Sequence, residues 1–196
     1  ILLCGTYEEA WAYFVEYEPN ILGVISDIEF PRDGVMTRDA GLEFARGVRE
    51  RRHDVPVMLQ STRRENQALA RSIGASFLLK GSPTLLQQLR TFMVEHLGFG
   101  DFVFRMPDGR EVGRAHDLQQ IEQLLATVPA ESIVFHSERN HFSIWFKART
   151  EFALAHRLRP RKLADFEPVE HLRRELMVAP REHRQEASRG VVVDFN

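Results

Sequence analysis

The sequence predicts an α/β protein, with a doubly wound parallel sheet in residues 1–98 and a smaller, mainly helical α+β domain with a β-hairpin in residues 99–196. Two observations support this prediction. In the first half, short apolar runs alternate with amphipathic segments, the order that builds parallel sheets from strand–helix–strand units. In the second half, two short strands flank the turn Pro107-Asp108-Gly109, and helical periodicity dominates the remainder.

The apolar periodicity of residues 1–98 divides this half into four strands and four helices. We predict strands over residues 1–4, 24–27, 56–60 and 76–79, and helices over residues 6–17, 41–52, 64–73 and 83–97. Thr6 followed by Glu9 is a capping box for the first helix. The apolar run that ends at Asp27 predicts a strand buried on both faces, and Cys4 is expected to be a small buried side chain. Residues 31–39 show no periodicity and predict a loop.

Residues 99–196 contain three further helical segments after the hairpin. The predicted boundaries are Asp117 and Pro129 for the first helix, Asn140 with about Leu158 and Pro160 for the second, and Pro168 for the third. Asn140 is a candidate N-cap, and Pro180 is expected to kink or split the last helix. Residues 132–135 are a short apolar run, and residues 191–195 are strand-like.

The pair His136 and His141 could bind a metal, but the two residues are five positions apart and no third ligand is spaced to join them. Because a zinc site needs three or four ligands, capping and hydrogen bonding at the edge of the core are the favoured roles. The aromatic residues Phe142, Trp145 and Phe146 that follow are predicted to belong to the core rather than to a binding platform.

Composition excludes several classes of function. The net charge of −2 and the pI near 6.5 give no support for a nucleic-acid surface, and the mixed charges of residues 173–189 predict a solvated helix face. No apolar run reaches the roughly 18–20 residues that span a membrane, and no signal peptide is visible. One cysteine excludes an internal disulfide framework. We therefore expect a cytoplasmic protein that binds neither membranes nor nucleic acids.

Both ends of the sequence fall inside strand-like patterns, at residues 1–4 and 191–195. We therefore expect the chain to be a piece of a larger protein. It contains no nucleophile elbow, no P-loop and no glycine-rich dinucleotide loop. This segment is accordingly not expected to be an enzyme by itself.

Three predicted strands of the first half deliver a polar side chain at or directly after their carboxyl ends. These side chains are Asp27, Ser61 and Lys80. The carboxyl ends of parallel strands meet at one edge of a sheet, where open α/β sheets bind their ligands. The sequence therefore predicts that an acid, a hydroxyl and a cation line one crevice.

Residues 1–97 resemble a response-regulator receiver domain, which has a flavodoxin-like fold. The residues that support the resemblance are Asp27 in Val-Ile-Ser-Asp-Ile-Glu-Phe-Pro, Ser61 in Pro-Val-Met-Leu-Gln-Ser-Thr, and Lys80 in Gly-Ala-Ser-Phe-Leu-Leu-Lys-Gly. The resemblance implies that Asp27 is the phosphoacceptor of a two-component phosphorelay and receives its phosphoryl group from a histidine kinase or another phosphodonor. It further implies that Ser61 contacts the phosphoryl group and moves with it, and that Lys80 pairs with its charge.

The resemblance also implies a magnesium ion. Asp27 and the backbone carbonyl of Glu29 would supply part of its oxygen shell, and the remaining ligands would lie outside this chain. Non-functional interpretations stay open at this point: Lys80 could form a structural ion pair with Asp27, and Ser61 could cap a helix. In that case the domain would be a pseudo-receiver that acts by protein–protein interaction.

The sequence departs from the receiver pattern in three respects. The family's first strand and its acidic pair are missing, Gly81 follows Lys80 where proline is usual, and the loop before Gly41 is longer than usual. The missing strand normally lies between the strands of residues 1–4 and 24–27, and its absence would leave two open edges. We therefore expect the first strand to be donated from a segment upstream of Ile1.

A second resemblance covers about residues 99–196. The segments Arg-Met-Pro-Asp-Gly-Arg-Glu-Val and Val-Pro-Ala-Glu-Ser-Ile-Val-Phe-His-Ser-Glu-Arg-Asn-His-Phe-Ser-Ile-Trp are similar to a region of bacterial proteins that resemble phosphoenolpyruvate synthase or pyruvate phosphate dikinase. In those proteins the region lies between a receiver and an ATP-binding part. This resemblance implies a parent protein that is an ATP-dependent phosphotransferase, whose downstream catalytic domain the receiver would control. Association of two copies of the chain into a homodimer stays open.

Overall fold

The computed structural model describes residues 1–159 and 169–189, with the side chains of residues 186–189 excepted. The chain divides into two compact units, Ile1–Leu97 and Gly98–Asn196. The first unit is an α/β structure around a three-stranded parallel sheet, and the second is mainly helical with one antiparallel strand pair. Among the described helices, none combines the length and the apolar character that a membrane crossing requires.

The first unit contains five strands and four α-helices within its described residues. In chain order they are α1 (Tyr7–Tyr17), β1 (Val24–Asp27), β2 (Phe30–Arg32), β3 (Val35–Thr37), α2 (Ala40–Arg51), β4 (Val57–Ser61), α3 (Asn66–Ser72), β5 (Ser76–Leu79) and α4 (Leu85–Glu95). Strands β1, β4 and β5 form the parallel sheet in the order β1-β4-β5. Strands β2 and β3 form a separate antiparallel hairpin.

Helices cover both faces of the parallel sheet because successive strand residues point to opposite sides. On one face Val57 and Leu59 pack in a core with residues of α1, α2 and α3. On the other face Met58 packs with residues of β5 and α4. The continuous apolar run of β4 therefore matches a strand that is buried on both sides, as parallel strands usually are.

Strand β1 differs from the prediction that it is buried on both faces. Ile25 pairs in register with Met58, yet 46% of its surface is exposed. The reason is its place at the edge of the sheet, where β4 is its one partner among the described strands. The prediction of a strand over residues 1–4 is also wrong, because these residues pair with none of the described strands, and Cys4 is exposed rather than buried.

Residues 31–39 are not the predicted loop, because most of them belong to the β2–β3 hairpin. Its turn contains Asp33 and Gly34, whose φ angles of 51° and 75° are both positive. Asp-Gly is a sequence that favours two-residue hairpin turns of this hand, since both central residues must adopt positive φ. The signal was therefore present in the sequence, but strands of three residues are too short to show a period.

The second unit contains one hairpin and five helices within its described residues. The elements are β6 (Phe102–Arg105), β7 (Glu111–Ala115), α5 (Leu118–Leu125), α6 (Ala130–Glu138), α7 (His141–Ala148), α8 (Phe152–Leu158) and α9 (Val169–Arg189). One apolar core joins the hairpin to the helices. In it the rings of Phe102 and Phe142 stack with centroids 4.7 Å apart, and Trp145 meets Phe102 edge-on. The prediction that Phe142, Trp145 and Phe146 are core residues is confirmed by their burial.

The long helix predicted from Asn140 to about Leu158 is wrong, because the chain forms the two helices α7 and α8 instead. Asn140 adopts a φ of 58° and makes no side-chain cap bond to α7. The break between the helices falls at Thr150, which has a φ of 62°. Helix α9 continues through Pro180 without a split. The predictions for Pro160, Pro168 and residues 191–195 lie outside the described residues.

Candidate functional site

The three candidate residues lie at one edge of the parallel sheet, as the alternation of strands and helices predicts. Asp27 is the last residue of β1, Ser61 is the last residue of β4, and Lys80 directly follows β5. The backbone pairing aligns these ends, because the amide of Lys80 donates to the carbonyl of Ser61 at 2.8 Å. The sheet thus brings an acid, a hydroxyl and a cation to the ends of three neighbouring strands.

The closest polar contact in this group joins Lys80 to Asp27. Lys80 Nζ lies 2.7 Å from Asp27 Oδ1, and each side chain keeps more than a third of its surface exposed. The Oδ1 atom itself has almost no solvent contact and accepts no well-directed hydrogen bond from the described residues. The contact is therefore an ion pair with imperfect geometry, and the oxygen retains the capacity to accept from a further group.

Within the described residues, the Ser61 hydroxyl forms no hydrogen bond with Asp27. It is instead hydrogen-bonded to the loop that follows β4. Its oxygen accepts from the Arg63 amide at 3.1 Å and from Asn66 Nδ2 at 3.0 Å. These bonds order the turn that leads into α3, since the N-cap position Glu65 makes no side-chain bond to the helix. Ser61 therefore contacts the side chain of the first residue of α3 but does not cap the helix, whose N-cap position is Glu65.

Close backbone packing fixes the end of β1. A β-carbon at Gly41, in the first turn of α2, would lie 2.0 Å from the Asp27 carbonyl oxygen and 2.8 Å from Ile28 Cα. The Gly41 amide donates to the Ile28 carbonyl at 2.9 Å. Because contacts this short are impossible for a side chain, only glycine allows α2 to approach the loop that carries Asp27.

A second ion pair bridges the loops that follow β1 and β4. Arg63 Nη2 lies 3.9 Å from Glu29 Oε2, and about half of each side chain is exposed. The sequence did not identify the Glu29 side chain, Arg63, Asn66 or Gly41 as part of this region. The available signal was their spacing, because Glu29 and Arg63 each follow a strand-end candidate by two residues.

The backbone at Gly81, the residue after Lys80, is incompatible with the proline that is usual at this position in receiver domains. Gly81 has a φ of 79°, and a proline ring holds φ near −65°. The turn from β5 toward α4 therefore uses a backbone conformation that is open to glycine and closed to proline. This departure from the receiver pattern has a conformational cause in this chain.

The donor set for magnesium is incomplete within this chain. Mg²⁺ requires an octahedral shell of oxygen ligands, and the buried Asp27 Oδ1 atom, which accepts no directed hydrogen bond, fits one position of such a shell. Within residues 1–159 and 169–189, however, no three acidic, histidine or cysteine side chains gather closely enough to hold a metal ion. Asp27 and the Glu29 carbonyl are thus at most part of a site.

His136 and His141 of the second unit take part in hydrogen bonds, which is the role that the sequence favoured over metal binding. His136 Nε2 accepts from the Arg105 amide at 2.8 Å, and the Nδ1 atoms of His136 and His141 lie 2.9 Å apart. Burial, followed by the nearby His141 and by the charges of Arg105 and Arg139, lowers the pKa of His136 to about 3. His136 is therefore a neutral structural residue at physiological pH.

Comparison with protein-family models, with curated proteins and with solved structures found no match for this chain. Its function therefore has to be inferred from the residues and their geometry.

Proposed function

We propose that residues 1–98 are a receiver-type module with a flavodoxin-like fold, in which Asp27 accepts a phosphoryl group and thereby controls a downstream catalytic domain. The observation that carries the proposal is the 2.7 Å contact of Lys80 Nζ with Asp27 Oδ1, which joins the carboxyl ends of β1 and β5 across the intervening parallel strand β4. A carboxylate can attack phosphorus as a nucleophile, and a cation held beside it supplies part of the charge neutralisation that phosphoryl transfer needs.

In the proposed reaction a carboxylate oxygen of Asp27 attacks the phosphorus of a phosphohistidine on a histidine kinase. The new P–O bond forms as the P–N bond breaks, and the electron pair of that bond returns to the imidazole nitrogen. Lys80 offsets the negative charge of the phosphoryl oxygens and of the acyl phosphate. A bound Mg²⁺, with Asp27 and the Glu29 carbonyl among its ligands, would supply further charge neutralisation.

The proposed physiological setting follows from the resemblances and not from the geometry of the pocket. The parent protein would be a cytoplasmic, phosphoenolpyruvate synthase-like enzyme, and the second unit would transmit the state of the first to the catalytic domain. Two copies of the chain could associate in this arrangement. These partners are part of the proposal and have no separate support in the contacts of the described residues.

A second candidate function is a pseudo-receiver that binds proteins without being phosphorylated. Two observations favour it: Lys80 and Asp27 already neutralise each other, and the Ser61 hydroxyl oxygen already accepts from Arg63 and Asn66. In this case the polar pocket stabilises the sheet edge and the loop before α3, and no ligand enters it.

Incubation with acetyl phosphate and Mg²⁺ distinguishes the two candidates. The protein should gain the mass of one phosphoryl group in intact-mass spectrometry, and Asp27→Asn should abolish the gain because an amide cannot form the acyl phosphate. The measurement should be made on this chain and on a longer protein that includes any residues upstream of Ile1. Asp33→Asn, in the exposed hairpin turn, is the matched control and should leave the gain unchanged.

No gain in either protein, or a gain that persists in Asp27→Asn, would contradict phosphorylation at Asp27. The first result would favour the pseudo-receiver, and the second would move the modification to another residue. A gain that requires Mg²⁺ would support the proposed metal.

A further inference from the structure

We propose that Asn66 is a positioning residue that holds Ser61 in its resting orientation and thereby couples the state of Asp27 to the start of helix α3. The inference rests on the proposed function, since it concerns the response of the same pocket to a phosphoryl group. Within the described residues, Asn66 forms no hydrogen bond with Asp27 or Lys80, so its proposed role is exerted through Ser61.

The hydrogen bonds around Ser61 carry the argument. A hydroxyl oxygen has two lone pairs and one hydrogen to donate. Both acceptor positions of Ser61 Oγ are used, by Asn66 Nδ2 at 3.0 Å and by the Arg63 amide at 3.1 Å. Their directions fix where the oxygen lies. A rotation about the Cα–Cβ bond that carries the oxygen toward Asp27 would move it relative to both donors, and the bond from the Asn66 side chain is the one of the two whose donor a substitution can remove.

Breaking that bond has a consequence for α3, because Asn66 is its first residue. Glu65, the position before the helix, provides no side-chain cap. The Ser61 hydroxyl links the end of β4 to the start of the helix through its hydrogen bond from Asn66. When Ser61 turns to donate to a phosphoryl oxygen on Asp27, the first turn of α3 loses that link. The pocket and the helix thus compete for one hydroxyl group.

Competition of this kind is reciprocal, since two events that exclude one another each weaken the other by the same factor. Removing the Asn66 amide should therefore make it easier to recruit Ser61 to a phosphoryl group. Asn66→Ala is suited to the test because alanine is the best helix former and leaves the α3 backbone intact. Gln67→Ala, one position further along the helix, is the matched control.

The experiment is a titration of beryllofluoride, a mimic of the phosphoryl group on a carboxylate, in the presence of Mg²⁺. Binding is followed by NMR of the backbone amides of residues 61–72, with the same proteins that are tested for phosphorylation. We expect Asn66→Ala to lower the half-saturating concentration about fivefold, the effect of one ordinary hydrogen bond. Gln67→Ala should not change it, and circular dichroism should show that both variants remain folded.

The double variant Ser61→Ala/Asn66→Ala separates positioning from a general loosening of the loop. In the Ser61→Ala background, the substitution of Asn66 should have no further effect on the titration, because the hydroxyl that Asn66 holds is gone. Hydrogen exchange at the first turn of α3 should accelerate on binding in the original protein and should be unchanged by binding in Asn66→Ala.

Each outcome decides between the inference and the function beneath it. Equal half-saturation in the original protein and Asn66→Ala, or an Asn66 effect that persists without Ser61, would overturn the role of Asn66 and leave the proposed function standing. No spectral change with beryllofluoride in any variant would overturn both.

Discussion

His136 is a buried histidine with both ring nitrogens in hydrogen bonds. Because Nε2 accepts from the Arg105 amide, the neutral ring carries its hydrogen on Nδ1 and donates toward His141. Protonation would place a second hydrogen on Nε2, opposite the hydrogen of the Arg105 amide. The lowered pKa of His136, about 3, therefore follows first from burial and then from the positive groups around it.

The stability of the second unit should consequently fall in acid. The pKa of His136 is ordinarily 6.5 and is about 3 in the folded unit. Between these two pH values the histidine binds a proton in the unfolded chain and not in the folded unit. The contribution is complete above pH 6.5 and decreases below it, by about 1.4 kcal/mol per pH unit at most. His136→Gln should flatten this dependence, as measured by urea unfolding with the fluorescence of the buried Trp145 in a Trp11→Phe background, because the chain has two tryptophans.

His156, which is exposed, provides a matched His→Gln substitution outside the core, and the slope of His136→Gln is compared with that of His156→Gln. An equal slope in His136→Gln and the original protein between pH 6.5 and 4 would show that His136 does not cause the acid sensitivity.

Helix α7 ends in a hydrogen-bonded C-cap motif that the sequence pattern does not predict. The Thr150 amide donates to the Lys147 carbonyl and the Glu151 amide donates to the Phe146 carbonyl, both at 3.0 Å. This is the hydrogen-bond pattern of a Schellman motif, in which the residue after the C-cap takes a left-handed conformation and is usually glycine. Thr150 occupies that position with a φ of 62°, which is costly for a β-branched residue.

Thr150→Gly should therefore stabilise the second unit by about 1 kcal/mol, because glycine adopts positive φ without steric cost. Urea unfolding followed by Trp145 fluorescence, again in the Trp11→Phe background, measures the change. Thr127→Gly is the matched substitution. Thr127 does not have a positive φ, so its replacement by glycine should destabilise the unit. Destabilisation by Thr150→Gly would mean that the threonine side chain contributes more than its strained backbone costs.

Each of the two units has its own apolar packing, and residues 98–101 are joined to the second unit by hydrogen bonds. Arg149 donates to the carbonyls of Gly98 and Gly100, both at 2.9 Å, and its guanidinium lies 3.4 Å from the centre of the Trp145 ring. Trp145 Nε1 donates to the Gly100 carbonyl at 3.0 Å. Burial lowers the pKa of Arg149 to about 10, so these acceptors compensate a partly desolvated cation.

A fragment of residues 98–196 should accordingly fold without residues 1–97. We expect cooperative urea unfolding and a near-UV circular dichroism signal from Trp145. A fragment that begins at Phe102 should be less stable by about 3 kcal/mol, because Arg149 and Trp145 lose their three bonds to Gly98 and Gly100. Equal stability of the two fragments, or a non-cooperative transition of the longer one, would contradict the assignment of residues 98–101 to the second unit.

The sequence by itself determined the features that depend on a few neighbouring residues. The capping residue of α1 is an example, since the Thr6 hydroxyl accepts from the Glu9 amide at 3.3 Å as the Thr-x-x-Glu pattern predicts. The meeting of Asp27, Ser61 and Lys80 at one edge also followed from the alternation of strands and helices, because parallel strands end on the same side.

Only the tertiary structure decided how those side chains are used. Three features depend on which elements become neighbours: the hydrogen bond from Asn66 to Ser61, the approach of Gly41 to the Asp27 carbonyl, and the exposure of Ile25 in the edge strand of the described sheet. The same holds for the break at Thr150, where packing of α7 and α8 outweighs the local preference of a β-branched residue. A sequence pattern records local preferences, whereas rotamers, burial and hydrogen-bond partners are set by residues that are distant along the chain.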